Sequence, residues 1–214
     1  MKVIGHPRRR DVFFISNHVS WIDILAVAGA SGTAFVAKAE LKSVPLIGWL
    51  ASLNRTVFVK RENRMGVTEQ IKELREALHD NWSVTVFPEG TVTDGHSLLP
   101  FKTSMLRVLE PPPPNVKVQP IMIHYGDIAE WIGWVGEETG LNNAKRILAR
   151  KGTFVLELHF LKPFNPAELG GRKAIAAKAR QNIERALVSA IGGPLREFKF
   201  SVDPVRYEPE RRSN

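Results

Sequence analysis

Cysteine is absent from this 214-residue chain. Its absence excludes disulfide bonds, thiolate metal sites and a cysteine nucleophile, and it fits a reducing compartment. Long apolar runs are missing as well, since no window of about 18 residues is sufficiently apolar and uncharged to span a bilayer. Residues 1–10 are basic and have no apolar centre, so they lack the pattern of a signal peptide.

Several catalytic and cofactor-binding motifs are also missing. There is no Gly-x-Ser-x-Gly elbow, because Gly29-Ala30-Ser31-Gly32 is one residue short. No Gly-x-Gly-x-x-Gly, P-loop or His-Glu-x-x-His occurs, and the histidines show no metal-ligand spacing. We therefore expect neither a nucleotide-binding site nor a metal site.

The charge is strongly one-sided, with 30 Lys+Arg against 22 Asp+Glu and a formal net charge of +8. Such an excess favours an anionic partner, which could be nucleic acid, acidic lipid or a phosphate-bearing substrate. Composition alone leaves open the alternative that the charge has no functional meaning. No zinc-finger pattern or aromatic-basic RNA-binding strand is present, so we expect no nucleic-acid partner.

The length suits one domain, and apolar strand-like runs alternate with helical patterns, which predicts an α/β fold. The predicted strands are Val12–Ile15, Ala34–Ala37, Thr56–Val59, Ser83–Phe87, Lys117–Ile123 and Thr153–Phe160. The predicted helices carry apolar stripes at Val67, Ile71, Leu74 and Leu78, and at Ile175, Ala179, Ile183, Leu187 and Ile191. The chain becomes polar near its end, which predicts a domain over 1–203 and a loose tail over 204–214.

A histidine and a carboxylate, His18 and Asp23, follow the first of these strands. A histidine can act as a general base, and a nearby carboxylate can hold its ring. Residues five apart on one helix point about 140° away from each other. The two can therefore meet only if His18 lies in the loop and Asp23 in the first helical turn. Ser20 and Asp23 also fit a capping box, so the alternative is that Asp23 only caps the helix; the two roles are compatible.

A second polar turn, Phe87-Pro88-Glu89-Gly90-Thr91, follows another predicted strand. Binding and catalytic residues concentrate on loops held by a rigid scaffold. Two polar turns at the ends of two strands therefore indicate an active site built from loops.

These motifs resemble the conserved blocks of the glycerolipid acyltransferases, especially the 1-acyl-glycerol-3-phosphate (lysophosphatidic acid) acyltransferase family. The His18-to-Asp23 segment is similar to the first block and Phe87–Thr91 to the third. Weaker similarities join Val57–Arg64 to the second block and Val118–Ile123 to the fourth. The resemblance covers about residues 11–125. It departs from the family at Val92, where an arginine is usual.

The resemblance implies a mixed central β-sheet flanked by helices, and the transfer of an acyl group from a thioester to the free hydroxyl of 1-acyl-glycerol-3-phosphate. The product would be phosphatidic acid, an intermediate of phospholipid biosynthesis. His18 would be the general base and Asp23 would orient it. Arg61, helped by Lys60 and Arg64, would bind the acceptor phosphate. Glu89, Gly90 and Thr91 would form the phosphate-facing turn. Acyl-CoA or acyl carrier protein would be the co-substrate, with no other cofactor.

Two alternatives remain open. The acceptor could be another lysolipid, which Val92 makes conceivable, or the chain could be a non-catalytic basic lipid-binding protein. We expect peripheral association with the cytoplasmic face of the membrane. The apolar segments 44–50, with Trp49, and 128–135, with Trp131 and Trp134, are candidates for the contact, or else for core helices or the wall of an acyl pocket.

Overall fold

The computed structural model of this protein describes residues 1–38, 57–59, 72, 75, 76, 78 and 83–200. Its strands are β1 (Lys2–Ile4), β2 (Val12–Ser16), β3 (Ala34–Lys38), β4 (Val57–Val59), β5 (Val84–Val86), β6 (Lys117–His124) and β7 (Glu157–Phe160). They form one sheet of seven strands in the order β1-β7-β6-β2-β5-β3-β4. Only the β6–β7 pair is antiparallel, so the sheet is mixed.

The centre of the sheet is β2, which lies between β5 and β6. Every residue of β2 and of β5 is buried, which explains why both strands are apolar runs rather than alternating patterns. Ile15 is in register with Val86 on one side and Pro120 on the other. The three strands are parallel, so the segments that follow them meet at one edge of the sheet, where open α/β sheets place their sites.

Helices cover both faces of this sheet. The α-helices of the described residues outside 72–78 are α1 (Ile22–Ser31), α2 (Ala129–Ile132), α3 (Gly140–Leu148) and α4 (Arg172–Ile191). Short 3₁₀ helices lie at Thr103–Leu109, Gly126–Ile128 and Pro166–Glu168. The apolar face of α4 packs on one side of the sheet, and α1, α2 and α3 pack on the other.

The side chains of β2 show how the two cores form. Phe13 and Ile15 join the core under α4, while Val12 and Phe14 join the core on the opposite face. Successive strand residues point to opposite faces, so one apolar run supplies both layers. Burial of each large side chain contributes about 1.5–3 kcal/mol, which fixes this strand and the loop that follows it.

The predicted α/β class with a mixed, helix-flanked sheet is confirmed. All six predicted strands exist, although the last begins at Glu157 rather than Thr153. The short strand β1 was not predicted, because residues 1–10 show charge and little apolar pattern. It forms by parallel pairing with β7, which is distant in sequence.

The two predicted helical stripes have different outcomes. The C-terminal one is confirmed as α4, with Ile175, Ala179, Ile183 and Leu187 buried. Of the other, Leu78 is helical and buried, whereas Val67, Ile71 and Leu74 lie outside the described residues. The tail 204–214 also lies outside them, so the division at residue 203 stays a prediction. No helix in the described part of the chain has the length and hydropathy needed to cross a membrane.

Candidate active site

His18 and Asp23 meet at the carboxyl edge of the sheet. His18 lies in the loop after β2 and Asp23 in the first turn of α1. The Nδ1 atom of His18 is 2.8 Å from Oδ2 of Asp23. The loop-and-first-turn arrangement required by the five-residue spacing is therefore the one the chain adopts.

The carboxylate of Asp23 is fully buried and surrounded by donors. Its Oδ2 atom also accepts the backbone N–H groups of Val19, at 2.7 Å, and of Ser20, at 3.0 Å. The bond from Ser20 is the carboxylate half of the predicted capping box. The other half differs, because the cap residue is Trp21 and the Ser20 hydroxyl lies 3.5 Å from the backbone N of Ile22. Asp23 thus holds the helix start and the imidazole together.

Tyr125 supplies a further donor that the sequence did not indicate. Its hydroxyl donates to Oδ1 of Asp23 at 2.5 Å, from the residue after β6. Tyr125 and Asp23 are 102 positions apart, and only the pairing of β2 with β6 brings them together. A lone tyrosine at a strand end is no signal until the strand order is known.

The backbone of His18 is held on both sides. Its N–H donates to Oε1 of Glu89 at 2.9 Å, and its carbonyl accepts the N–H and the hydroxyl of Thr93, at 2.8 and 3.1 Å. The other carboxyl oxygen of Glu89 accepts the N–H of Leu99 at 2.8 Å. Because β5 lies beside β2, the turn after β5 fixes the position of the histidine.

Glu89 is buried, and this burial raises the pKa of its carboxyl group to about 8. The hydrogen bonds from Leu99 and His18 and the charge of Arg180 act in the opposite direction. The predicted role of Glu89 in substrate binding stays a prediction. Its observed contacts are with the backbone N–H groups of His18, in the loop after β2, and of Leu99.

Gly90 adopts a backbone conformation that favours glycine, with φ of +74°. A Cβ atom at this position would lie 2.8 Å from Nζ of Lys102, so the lysine packs closely over the turn. The backbone N–H of Lys102 donates to the carbonyl of Pro88. Thr91 is partly exposed beside Gly90. The turn therefore presents accessible backbone next to a cation, and the binding roles of Gly90 and Thr91 stay predictions.

The ring of His18 is also fixed by stacking. Its centroid is 4.1 Å from that of Phe87, with 18° between the planes. The side chain of His18 is 16% exposed, and its Nδ1 atom is engaged by Asp23. Nε2 is therefore the ring nitrogen that Asp23 does not engage.

Asn17 satisfies backbone groups, as an asparagine in a loop is expected to do, but those of the distant residue Ile123 rather than of its own loop. Its amide donates to the carbonyl of Ile123 at 2.9 Å and accepts the N–H of Ile123 at 2.7 Å. The side chain thus extends the β2–β6 pairing by one residue, directly before His18.

The predicted phosphate-binding residues Lys60, Arg61 and Arg64 lie outside the described residues. The strand that precedes them, β4, ends at Val59 and lies at an edge of the sheet beside β3. The segment 44–50 with Trp49 lies outside the described residues as well. The roles predicted for these residues therefore stay predictions.

The segment 128–135 is in part a core helix, as one of its predictions had it, while its predicted contact with a membrane stays a prediction. Ala129 and Ile132 of α2 are buried in the core, whereas Trp131 is 36% exposed. The guanidinium groups of Arg146 and Arg150 lie 5.0 and 5.5 Å from the ring centre of Trp131. One side of α2 is thus core, and the other presents an aromatic ring under two cations.

Several known proteins are similar to this chain in sequence over most of its length. A sequence profile described as Acyltransferase matches residues 3–124. The lyso-ornithine lipid O-acyltransferase of Rhizobium meliloti (strain 1021) is 32% identical over 203 residues, covering 87% of this chain and 68% of the relative. The 1-acyl-sn-glycerol-3-phosphate acyltransferase of Neisseria gonorrhoeae is 29% identical over 197 residues, covering 86% and 71%.

A solved structure supports the fold independently. The crystal structure of the 1-acyl-sn-glycerophosphate (LPA) acyltransferase from Thermotoga maritima superposes with a TM-score of 0.60 at 24% identity, covering 88% of this chain and 72% of that one. The fold that the two structures share is that of an α/β domain with helices packed on its sheet. The chain belongs to the acyltransferase family.

Proposed function

We propose that the chain transfers an acyl group from a thioester to the hydroxyl group of a lysolipid, with His18 as the general base. The observation that carries this proposal is the pair of His18 and Asp23, at 2.8 Å, held from β2, β5 and β6. A base must be oriented so that one nitrogen faces the substrate, and the bond to Nδ1 leaves Nε2 for that task.

The chemistry needs no acyl-enzyme intermediate. Nε2 of His18 takes the proton of the acceptor hydroxyl as its oxygen attacks the thioester carbonyl carbon. The carbon–sulfur bond then breaks, and the leaving thiolate takes the proton from the imidazolium. The buried carboxylate of Asp23 stabilises the imidazolium between these two steps. The absence of cysteine and of a serine elbow is consistent with this direct transfer.

For the acceptor, we favour a lyso-ornithine lipid over 1-acyl-glycerol-3-phosphate. Over similar shares of this chain, 87% and 86%, the Rhizobium meliloti relative named for lyso-ornithine lipid is 32% identical and the Neisseria gonorrhoeae relative named for acylglycerol phosphate is 29% identical. Val92, which is partly exposed, stands where the acylglycerol-phosphate enzymes usually have an arginine. An ornithine headgroup carries no phosphate, so it does not require that guanidinium. This replaces phosphatidic acid as the preferred product.

We also propose that the protein works at the surface of a membrane, on its cytoplasmic face, with acyl-CoA or acyl carrier protein as donor. A lipid acceptor resides in a bilayer, and the net charge of +8 favours anionic headgroups. Trp131 with its two arginines supplies a ring of the interfacial type on the described surface.

The test is thiol release from acyl-CoA in detergent, with lyso-ornithine lipid or lysophosphatidic acid as acceptor. The parent protein and His18→Ala are compared. We expect release that depends on lyso-ornithine lipid and falls by about a hundredfold or more in the variant. A second series replaces acyl-CoA with acyl carrier protein.

His159→Ala is the matched control, because His159 also pairs with a carboxylate, that of Glu157, at 3.0 Å. It removes an equivalent pair from β7 and should retain parental release. If thiol is released with lysophosphatidic acid and not with lyso-ornithine lipid, the acceptor is the phosphate-bearing lipid and our preference is wrong. Undiminished release by a folded His18→Ala protein would refute the general-base assignment.

A further inference from the structure

His18 and Asp23 are called the dyad from here on. Tyr125 donates to a different carboxyl oxygen of Asp23 from the other donors. Three donors converge on Oδ2 of Asp23, from His18, Val19 and Ser20. At Oδ1 the observed donor is the hydroxyl of Tyr125, 2.5 Å away. Tyr125 itself is only 3% exposed, so water has little access to this bond.

The tyrosine remains a donor at every pH at which the protein works. Burial, followed by the charge of Asp23 and the hydrogen bond with it, raises the pKa of Tyr125 well above its usual value of 10. A neutral hydroxyl that donates to a buried carboxylate stabilises the negative charge on the oxygen that accepts the bond. Hydrogen bonds to a charged group in such surroundings are stronger than neutral ones.

We propose that Tyr125 is a positioning residue that sets both the orientation and the charge distribution of Asp23, and through it the basicity of His18. The inference rests on the proposed function of the dyad. Tyr125 draws negative charge toward Oδ1 and away from Oδ2, which faces the imidazole. Without it, the carboxylate would attract the imidazolium more strongly, and His18 would release its proton less readily.

Among the residues that the structure describes, the ionisable groups around the dyad come from three elements. Glu89, on the turn after β5, binds the backbone of His18 and interacts with the charge of Asp23. Arg180, on α4, interacts with Glu89 through its charge. Tyr125 follows β6. Because Glu89 can titrate in the working range, the effect of Tyr125 must be separated from that of Glu89.

The experiment compares the parent with Tyr125→Phe, which removes only the hydroxyl and keeps a ring beside Phe154. We expect kcat to fall about tenfold with little change in either KM. The acid limb of the pH profile of kcat/KM should move to higher pH by roughly half a unit. The same shift should appear when Tyr125→Phe is made in a Glu89→Gln background, which removes the competing titration.

Thr85→Val is the matched control, since it also removes a buried hydroxyl donor, one that bonds to Thr33 within the sheet at 3.0 Å. Thr85 does not contact the dyad, so the pH profile of the Thr85→Val protein should keep the parental shape. A Tyr125→Phe protein whose activity falls equally at all pH values, as expected of general destabilisation, would overturn the proposal.

A readout independent of activity separates this inference from the proposed function. The ring signals of His18 can be followed by ¹⁵N NMR as the pH is varied, in the parent and in Tyr125→Phe. An upward shift of the His18 titration midpoint supports the role of Tyr125 even if no lysolipid is acylated. Equal midpoints would refute it even in an active enzyme.

Discussion

At the residue scale, the local motif could be predicted but its supports could not. His18 and Asp23 lie five residues apart, so loop and helix geometry alone limited how they could meet. Tyr125 reaches Asp23, and Thr93 and the ring of Phe87 reach His18, through strand pairing, which the sequence does not display. Their side chains are of kinds common in any core, and only their positions make them part of the site.

Asp23→Asn tests the charge of the dyad. The amide would keep the size of the side chain but place an NH₂ group near donors and remove the negative charge that stabilises the imidazolium. We expect kcat to fall about a hundredfold or more, measured as acceptor-dependent thiol release.

Asp94→Asn is the comparison for this variant. Asp94 also accepts two backbone N–H groups, from His96 and Ser97, but its carboxylate does not bond to the ring of His18. The two variants should lose similar stability, while only Asp23→Asn should lose most of its kcat. Equal losses of kcat would mean that loop structure, not the charge of Asp23, limits the reaction.

Glu89→Gln tests the buried carboxyl group through the pH dependence of stability. The folded pKa of Glu89, about 8, lies above its ordinary value of 4.5. The folded protein therefore binds the proton more tightly, and this contribution to stability is complete below pH 4.5 and lost as pH rises to about 8. Glu89→Gln should show a smaller fall in the free energy of unfolding over that interval.

Denaturant titrations at several pH values measure this slope. The amide also lowers stability at all pH values, because its NH₂ group faces a backbone N–H; the slope, not the level, is therefore the readout. A variant that keeps the full parental slope would show that Glu89 does not cause it.

At the element scale, the site follows from the order of three strands. The apolar runs of β2, β5 and β6 were predictable as strands, but periodicity does not reveal which strands are neighbours. Their parallel pairing brings three separate segments to one edge. The short strand β1 was not predicted either. Three residues are too few to show a strand pattern, and the strand forms by pairing with β7, which is distant in sequence.

Asn17→Ala tests the link between two of these elements. It would leave the buried N–H and C=O groups of Ile123 without their side-chain partners, at a cost of about 1–3 kcal/mol for each group. We expect a free energy of unfolding lower by about 2–4 kcal/mol, from urea denaturation, and weaker acyl transfer because His18 is adjacent.

Asn165→Ala provides the exposed counterpart. Its side chain also makes two hydrogen bonds, with the backbone N of Ala167 and with Glu168, but both are exposed. Water can replace them, so the loss should be well under that of Asn17→Ala. Equal losses would contradict the bridging role of Asn17.

At the scale of the whole molecule, we expect charge and surface chemistry to govern the proposed attachment to a membrane. The net charge of +8 was evident from composition, but its distribution was not. In the described surface, Lys151 is exposed and lines a pocket with Trp131 and Arg150. Lys145 is exposed on α3, as are Leu141 and Leu148. Trp21 of the catalytic loop donates to Asn143 of α3 at 3.1 Å, which connects this surface to the site.

The double variant Lys145→Glu/Lys151→Glu tests this surface as a membrane contact. Each lysine near an anionic membrane contributes about 1 kcal/mol, so reversing both should weaken binding by tenfold or more, as an order of magnitude. Cosedimentation with phosphatidylglycerol-containing vesicles at low salt measures the effect.

Lys173→Glu/Arg185→Glu is the charge-matched control, because both residues are exposed on α4. It changes the net charge equally on an element that packs on the opposite face of the sheet. If both double variants lose binding to the same extent, total charge and not the α3 surface governs attachment.

The contact between Tyr125 and Asp23 also has a consequence for folding. Helix α1 can form from local contacts, but Asp23 gains the hydroxyl donor of Tyr125 only when chain segments 102 positions apart have come together. Such distant contacts form slowly, because a long loop must close before they are gained. In refolding experiments, helical signal should therefore return before acyl transfer, and catalysis should report the docking of β6 against β2. A nascent chain that has not yet received β6 would hold His18 and Asp23 without being an enzyme.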